Sequence, residues 1–183
     1  MLYLASVSPR RAKLLREAGV PFKKLKTDYR ERDSSQPRPA GLVKKHALGK
    51  ALAAARKIKN GKILAADTVV YFRGKIIGKP SGRHDAFKTL SRLAGNWHTV
   101  YTGVAFLEVL GRRVLRRRLF CEKTDVLLKR MDPKGIRAYF SRMSPLDKAG
   151  SYAIQQSCGG VVERMRGSFS NAVGLPMERL KFL

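Results

Sequence analysis

Cysteines, acidic residues and long apolar runs are all scarce in this chain. Its 183 residues include only two cysteines, Cys121 and Cys158. They lie far apart and outside any CxxC or Cys/His grouping, which argues against a disulfide framework and a structural zinc site; buried free thiols are expected. No stretch approaches the roughly 20 apolar residues that a bilayer-spanning helix needs, and the start shows no charged segment running into a long apolar one. A soluble cytoplasmic protein with no membrane partner is therefore expected. Aromatic residues make up 8% of the chain and are not interleaved with its basic run, so no stacking platform for nucleic acid is evident. Repeats and low-complexity tracts are missing too.

Only 13 acidic residues face 39 lysines and arginines, for a net charge of +26 with neutral histidines. Such a balance attracts polyanions, either nucleic acid or nucleotides with several phosphates. The cations are spread along the whole chain. Their densest group, Arg112, Arg113, Arg116, Arg117 and Arg118, surrounds a hairpin turn expected at Gly111. Charge of this kind also serves on a solvated edge strand, where it blocks sheet-to-sheet association.

At 44% hydrophobic content the chain can bury a core and fits one domain of two lobes over residues 1–183. Strands are predicted at 2–5, near 22–25, at 63–72, 75–77, 97–109 and 113–120, and in short pieces near 151–154 and 160–165. Helices are predicted at 9–18, 42–58, 83–93 and 133–140, with a short one at the carboxyl end. Strands alternate with helices and then cluster, which points to a mixed α/β sheet rather than a purely parallel one.

The first helix opens as Ser8-Pro9-Arg10-Arg11 after the apolar strand Leu2-Tyr3-Leu4-Ala5. Ser8 suits the N-cap and Pro9 the first helical position, where its missing N–H costs nothing. Free N–H groups at that terminus beside two guanidinium forks make an anion site suited to polyphosphate. The same residues also read as an ordinary capped helix with solvated arginines.

Few acids leave few candidates for acid/base or metal chemistry. Asp67 stands out, because it lies in the apolar strand Ala65-Ala66-Asp67-Thr68-Val69-Val70, where an unpaired carboxylate costs several kcal/mol. It needs a cation, a metal or hydrogen bonds. Asp28, Glu31 and Asp33 follow a strand end and can reach the same mouth. Glu31 is the preferred one, and Mg²⁺ commonly takes one or two carboxylates beside substrate phosphates. Lys50, on an Ala-rich helix, and Lys79, in the turn Gly78-Lys79-Pro80, suit phosphate neutralisation, although exposed lysines are the plain alternative.

Taken together, the ordered pieces resemble the Maf nucleoside triphosphate pyrophosphatases. They are Leu4 to Arg11, Thr27-Asp28 with Glu31, Lys50-Ala51, Ala66 to Val70, Gly78-Lys79-Pro80, His98 with Tyr101 to Val104, Asp147 to Gln155, and Gly167-Ser168 through Asn171 to Pro176. The resemblance implies a twisted mixed β-sheet flanked by helices around a central cleft, like that of inosine triphosphate pyrophosphatases. It also implies a homodimer, a divalent metal cation (Mg or Mn), and cleavage between the α and β phosphates to a nucleoside monophosphate and pyrophosphate. By position, Ser8, Arg10, Arg11, Lys50 and Lys79 look like the triphosphate cradle. Glu31 and Asp67 look like metal ligands, with Asp67 the base, while Thr68 and Gln155 are placed to contact base or sugar. Arg10, Thr68 and Gln155 resemble the dTTP/UTP branch rather than the 7-methyl-GTP branch, which has an aromatic, a Gln and a Glu there. A Gln offers a pyrimidine edge both a donor and an acceptor.

Two departures fall near the Asp147 segment: Ser144 replaces a usual Glu, and Gln156 replaces a usual Gly. The strong positive charge is not something the resemblance implies. The alternative reading is a nucleic-acid-binding protein, or an interaction protein of cell division, with little catalysis on the same fold.

Overall fold

The structure is a computed structural model, and it describes residues 1–31, 38–154 and 160–181. Seven strands form one twisted sheet in the order β2-β1-β3-β5-β6-β7, with β4 also paired to β3. In chain order these are β1 (Leu2–Leu4), α1 (Pro9–Glu17), β2 (Lys23–Lys24), α2 (Pro39–Ala55), β3 (Gly61–Phe72), β4 (Lys75–Ile77), α3 (Arg83–Leu93), β5 (Trp97–Leu110), β6 (Arg113–Leu128), α4 (Pro133–Arg142), β7 (Val162–Arg166) and α5 (Phe169–Val173). β1 pairs in parallel with β2 and β3, while β3, β5, β6 and β7 run antiparallel to one another. The expected mixed α/β sheet with flanking helices is the observed one.

Helices cover the sheet because their apolar residues recur at helical spacing. α2 buries Ala47, Ala51, Ala54 and Ala55 over Ile63, Ala65, Ala105 and Leu107, a layer thinned by alanine, and Val43 beside Val69. α1 buries Ala12 and Leu15 on the opposite face, against Leu64, Ala66, Val104 and Phe106. Further along the sheet, α3 and α4 close a third cluster through Leu90, Leu93, Ile136 and Tyr139. At about 25 cal/mol per Å² of apolar surface, these layers are the main stabilising term.

Three predictions need correction. Residues 149–151 form a 3₁₀ turn and no strand follows at 152–154, because Gly150 and Ser151 both take positive φ and turn the chain. β6 runs to Leu128, since Arg118 to Leu127 continue in register with β5 and Leu128 pairs with β7. Cys121 is half-buried rather than buried; Cys158 lies outside the described residues.

The pairing of β3 is what places the site. β5 covers one of its edges from Gly61 to Tyr71. On the other edge, β1 covers Lys62 to Leu64 and β4 covers Val70 to Phe72, so Ala65 to Val69 are left without a neighbouring strand. Asp67 stands at the centre of that notch.

Candidate functional site

The two segments flanking the notch bring most of the predicted residues to it. β1 ends at one side and hands the chain to Ser6, Ser8, Arg10 and Arg11; β4 ends at the other and leads to Lys79. From above, α2 lowers Lys50 toward Asp67. Close approach of α2 depends on Gly103, the register partner of Asp67, because a side chain there would run into the Val43 carbonyl and the Lys44 amide. A second glycine, Gly49, lets the Tyr29 ring lie directly on the helix, and that holds the loop carrying Glu31 against Lys50.

Lys50 Nζ sits 2.6 Å from Asp67 Oδ1 and 2.6 Å from Glu31 Oε1. The Lys50 and Asp67 side chains are only 13% and 9% exposed, so this is a largely desolvated contact. Burial alone would raise the Glu31 pKa; the Lys50 hydrogen bond and charge, with help from Lys79 and His46, outweigh it and hold the carboxyl below its ordinary value. Lys79 itself is exposed.

Arg11 is buried and donates from Nε to the Gly174 carbonyl at 2.8 Å, from Nη1 to Ser6 Oγ at 3.0 Å and from Nη2 to Thr68 Oγ1 at 3.0 Å. Gly174 takes φ 124, a left-handed conformation that suits glycine. Three of the five guanidinium N–H groups are thus used within the protein, and two remain. Burial lowers the Arg11 pKa and Asp67 opposes that shift, yet an arginine stays charged.

Other side chains have partners the sequence did not suggest. Thr68 Oγ1 lies 2.9 Å from Thr102 Oγ1, which donates to the Asn171 carbonyl at 3.0 Å, so the Thr68 hydroxyl belongs to an internal chain. Arg10 Nη1 donates to Asp147 Oδ2 at 2.6 Å and Nη2 to the Asp147 carbonyl at 3.1 Å. Ser8 occupies the N-cap position with Pro9 after it, but its hydroxyl makes no capping bond; its own N–H donates to Ser6 Oγ at 3.2 Å instead. The expectation of a Ser8 cap is therefore corrected. Gln155 and Asp33 lie outside the described residues.

Glu31, Lys50, Asp67, Arg11 and Thr68 thus meet at the notch, with Arg10 and Ser8 on its rim. Sequence reasoning missed Ser6, Tyr29, His46 and Asp147. Tyr29 Oη and His46 Nδ1 are 2.9 Å apart, and burial together with the charges of Asp67 and Glu31 raises the Tyr29 pKa. One signal was available: glycine inside an alanine-rich helix marks a close approach, here by Tyr29. A cavity of about 500 Å³ opens elsewhere, lined by Tyr71, Trp97, Thr99, Asp125 and Arg166 among others, and no predicted site residue lines it.

Among the described residues, no group of three or more His, Cys, Asp or Glu side chains converges as a metal cage. Two carboxylates sharing one ammonium do fit a hard cation of the Mg²⁺ type, which completes its shell with waters and phosphate oxygens. A cation-rich notch with two carboxylates, at an open edge of a mixed sheet, defines an α/β protein equipped for a phosphorylated anion.

Comparison with known proteins narrows this further. The family model described as Maf-like protein matches residues 1–183, and the chain belongs to that family. It is 46% identical over 179 residues to a dTTP/UTP pyrophosphatase of Gloeobacter violaceus, covering 98% of this chain and 92% of that one. Against a dTTP/UTP pyrophosphatase of Thermosipho melanesiensis it is 41% identical, covering 98% and 93%. Among solved structures, the Staphylococcus aureus Ham1 protein overlays with a TM-score of 0.49 and 13% identity, covering 69% of this chain and 71% of that one, a likeness too loose to bear on function.

Proposed function

We propose that this chain hydrolyses pyrimidine nucleoside triphosphates, namely dTTP, UTP and modified forms, to the monophosphate and pyrophosphate, clearing such nucleotides from the pool. The observation that carries the reading is Lys50 Nζ at 2.6 Å from both Asp67 and Glu31, inside a notch rimmed by Arg10 and Arg11. The dTTP/UTP pyrophosphatase names of relatives at 46% and 41% identity support the substrate class.

Asp67 and Glu31 would hold the divalent cation, Mg²⁺ or Mn²⁺. When bound, it supplies positive charge against the phosphates and Lewis acidity toward them. Arg10, Arg11, Ser8 and Lys79 bind the triphosphate tail, the arginines through their forked N–H groups. Lys50 orients both carboxylates and offers its charge where negative charge develops. Asp67 accepts the proton of the attacking water as the bond between the α and β phosphates breaks and pyrophosphate leaves. Most of the rate gain comes from positioning and charge, as phosphoryl transfer requires. Thr68 acts by fixing Arg11, and Gln155 reads the base edge.

Incubation with dTTP, UTP and modified pyrimidine triphosphates plus Mg²⁺ or Mn²⁺ tests this. Pyrophosphate release is expected; release of orthophosphate, or no release from any triphosphate, rejects the reading.

A further inference from the structure

The excess charge has a place in the fold that the notch does not use. At the far end of the sheet, the turn between β5 and β6 is bonded to the loop after α2: Gly111 N–H donates to Asn60 Oδ1 at 2.8 Å and Arg112 N–H to the Lys59 carbonyl at 2.9 Å. Two basic segments, Arg56 to Lys59 and Arg112 to Arg117, are thereby joined into one surface. Lys62 lies in the same register row as Glu108 and Arg116. A second row runs from Lys23 through Tyr3, Ile63 and Leu107 to Arg117. That row crosses four strand spacings of about 4.8 Å, so its two terminal cations, Lys23 and Arg117, lie about 19 Å apart along this rim, with Ile63 and Leu107 buried between them.

Lys23, Lys59, Lys62, Arg112, Arg113 and Arg116 are all exposed. None of them joins an ion pair among the described residues. Among the described residues, the acids near the rim are Glu108 and Asp28, which pairs with Lys57 at 2.8 Å. Among the described residues, the exposed aromatic side chains, Trp97 and Phe169, lie on other parts of the molecule, so the described rim holds no platform for unstacked bases. Its exposed apolar side chains, Met1, Leu110, Val114 and Leu115, are interspersed with arginines and lysines.

We propose that this rim binds the phosphate backbone of double-stranded nucleic acid, independently of base sequence. A cluster of exposed cations held by the β5–β6 turn and the loop after α2, free of ion pairs among the described residues, matches a rod carrying a charge every 1.7 Å or so along its axis. Lys62 lies five strand residues from Asp67, about 17 Å, so the rim and the notch work as separate surfaces.

Fluorescence anisotropy of the full chain with a labelled duplex of about 25 base pairs, over a KCl series, tests the proposal. About four phosphate contacts give a log–log salt slope near −3.6 that is the same for unrelated sequences. The triple variant Arg112→Glu, Arg113→Glu, Arg116→Glu is expected to weaken binding at least tenfold and flatten the slope to about −1. Its far-ultraviolet spectrum and melting curve check that it folds. A charge-matched variant on another face, Arg83→Glu, Lys88→Glu, Lys134→Glu, is expected to stay within threefold of the parent. Equal loss in both variants, tighter binding of a single strand, or capture by anionic vesicles without duplex binding would each overturn it. Pyrophosphate release is read separately on the same samples, so failure of the rim and failure of the catalytic reading are distinguishable.

Discussion

Lys50 holds Asp67 by a direct contact of 2.6 Å between Nζ and Oδ1, although the two residues lie on different elements, 17 positions apart. This pairing explains how a carboxylate survives in the apolar strand β3, since an uncompensated buried charge costs several kcal/mol. If Asp67 is the base, Asp67→Asn leaves the fold intact and lowers pyrophosphate release by about 10²- to 10⁴-fold. Single-turnover assays beside a melting curve check both parts. A variant that keeps most of its rate shows that another group takes the proton.

The Arg10–Asp147 pair makes a different prediction. Both side chains are partly exposed, so the pair itself contributes about 0–1 kcal/mol. A triphosphate that draws on Arg10 must first displace Asp147. Asp147→Ala therefore lowers KM for the triphosphate by up to about fivefold, with little change in melting temperature. An unchanged or raised KM places Arg10 outside the phosphate site.

Packing at Gly103 should be equally sensitive. Gly103→Ala forces α2 off the sheet at Val43 and Lys44, with an expected cost of about 1–3 kcal/mol, measurable by urea denaturation. Because the same displacement withdraws Lys50 from Asp67, activity falls with stability. An equal change at the open turn glycine Gly74, where nothing lies near an added Cβ, serves as a comparison for backbone strain alone.

Acid should expose His98. This side chain is 4% exposed, with Nε2 2.6 Å from the Tyr152 hydroxyl, and burial lowers its pKa to about 4, opposed by the Asn96 backbone and by Asp125. The folded state thus keeps the ring neutral at pH values where the unfolded chain protonates it. Its contribution is fully present above about pH 6.5 and is lost as pH falls toward 4, up to about 3 kcal/mol in all. Urea midpoints between pH 6.5 and 4.5 isolate this effect from the lowered carboxylates. His98→Phe should remove the slope.

Much of this architecture was legible in the sequence. α2 announced itself by apolar residues at helical spacing, α1 by its Ser-Pro opening and Gly19 stop, and β3 by its apolar, β-branched run. Asp67 could be singled out because a carboxylate amid alanine and valine needs an explanation, and the chain offers few acids to compare. Partners at long sequence range were not legible. That Arg11 reaches Gly174, or that Arg10 meets Asp147, follows from how α1 faces segments more than 130 residues away. Ser8 looked like a cap by residue type, yet the hydrogen bond goes the other way, to Ser6. The end of β6 was misjudged because its polar residues imitate a loop while its backbone stays paired and Thr124 is buried against the Ser168 carbonyl.

The interrupted edge of β3 has a lasting consequence. Its width is fixed by main-chain pairing at Leu64 and Val70, so no side chain has to shape it. The strand ends that bound the gap also deliver Arg10, Arg11 and Lys79 to its two sides, so the spacing between those cations and Asp67 is set by the sheet's registry rather than by loop length.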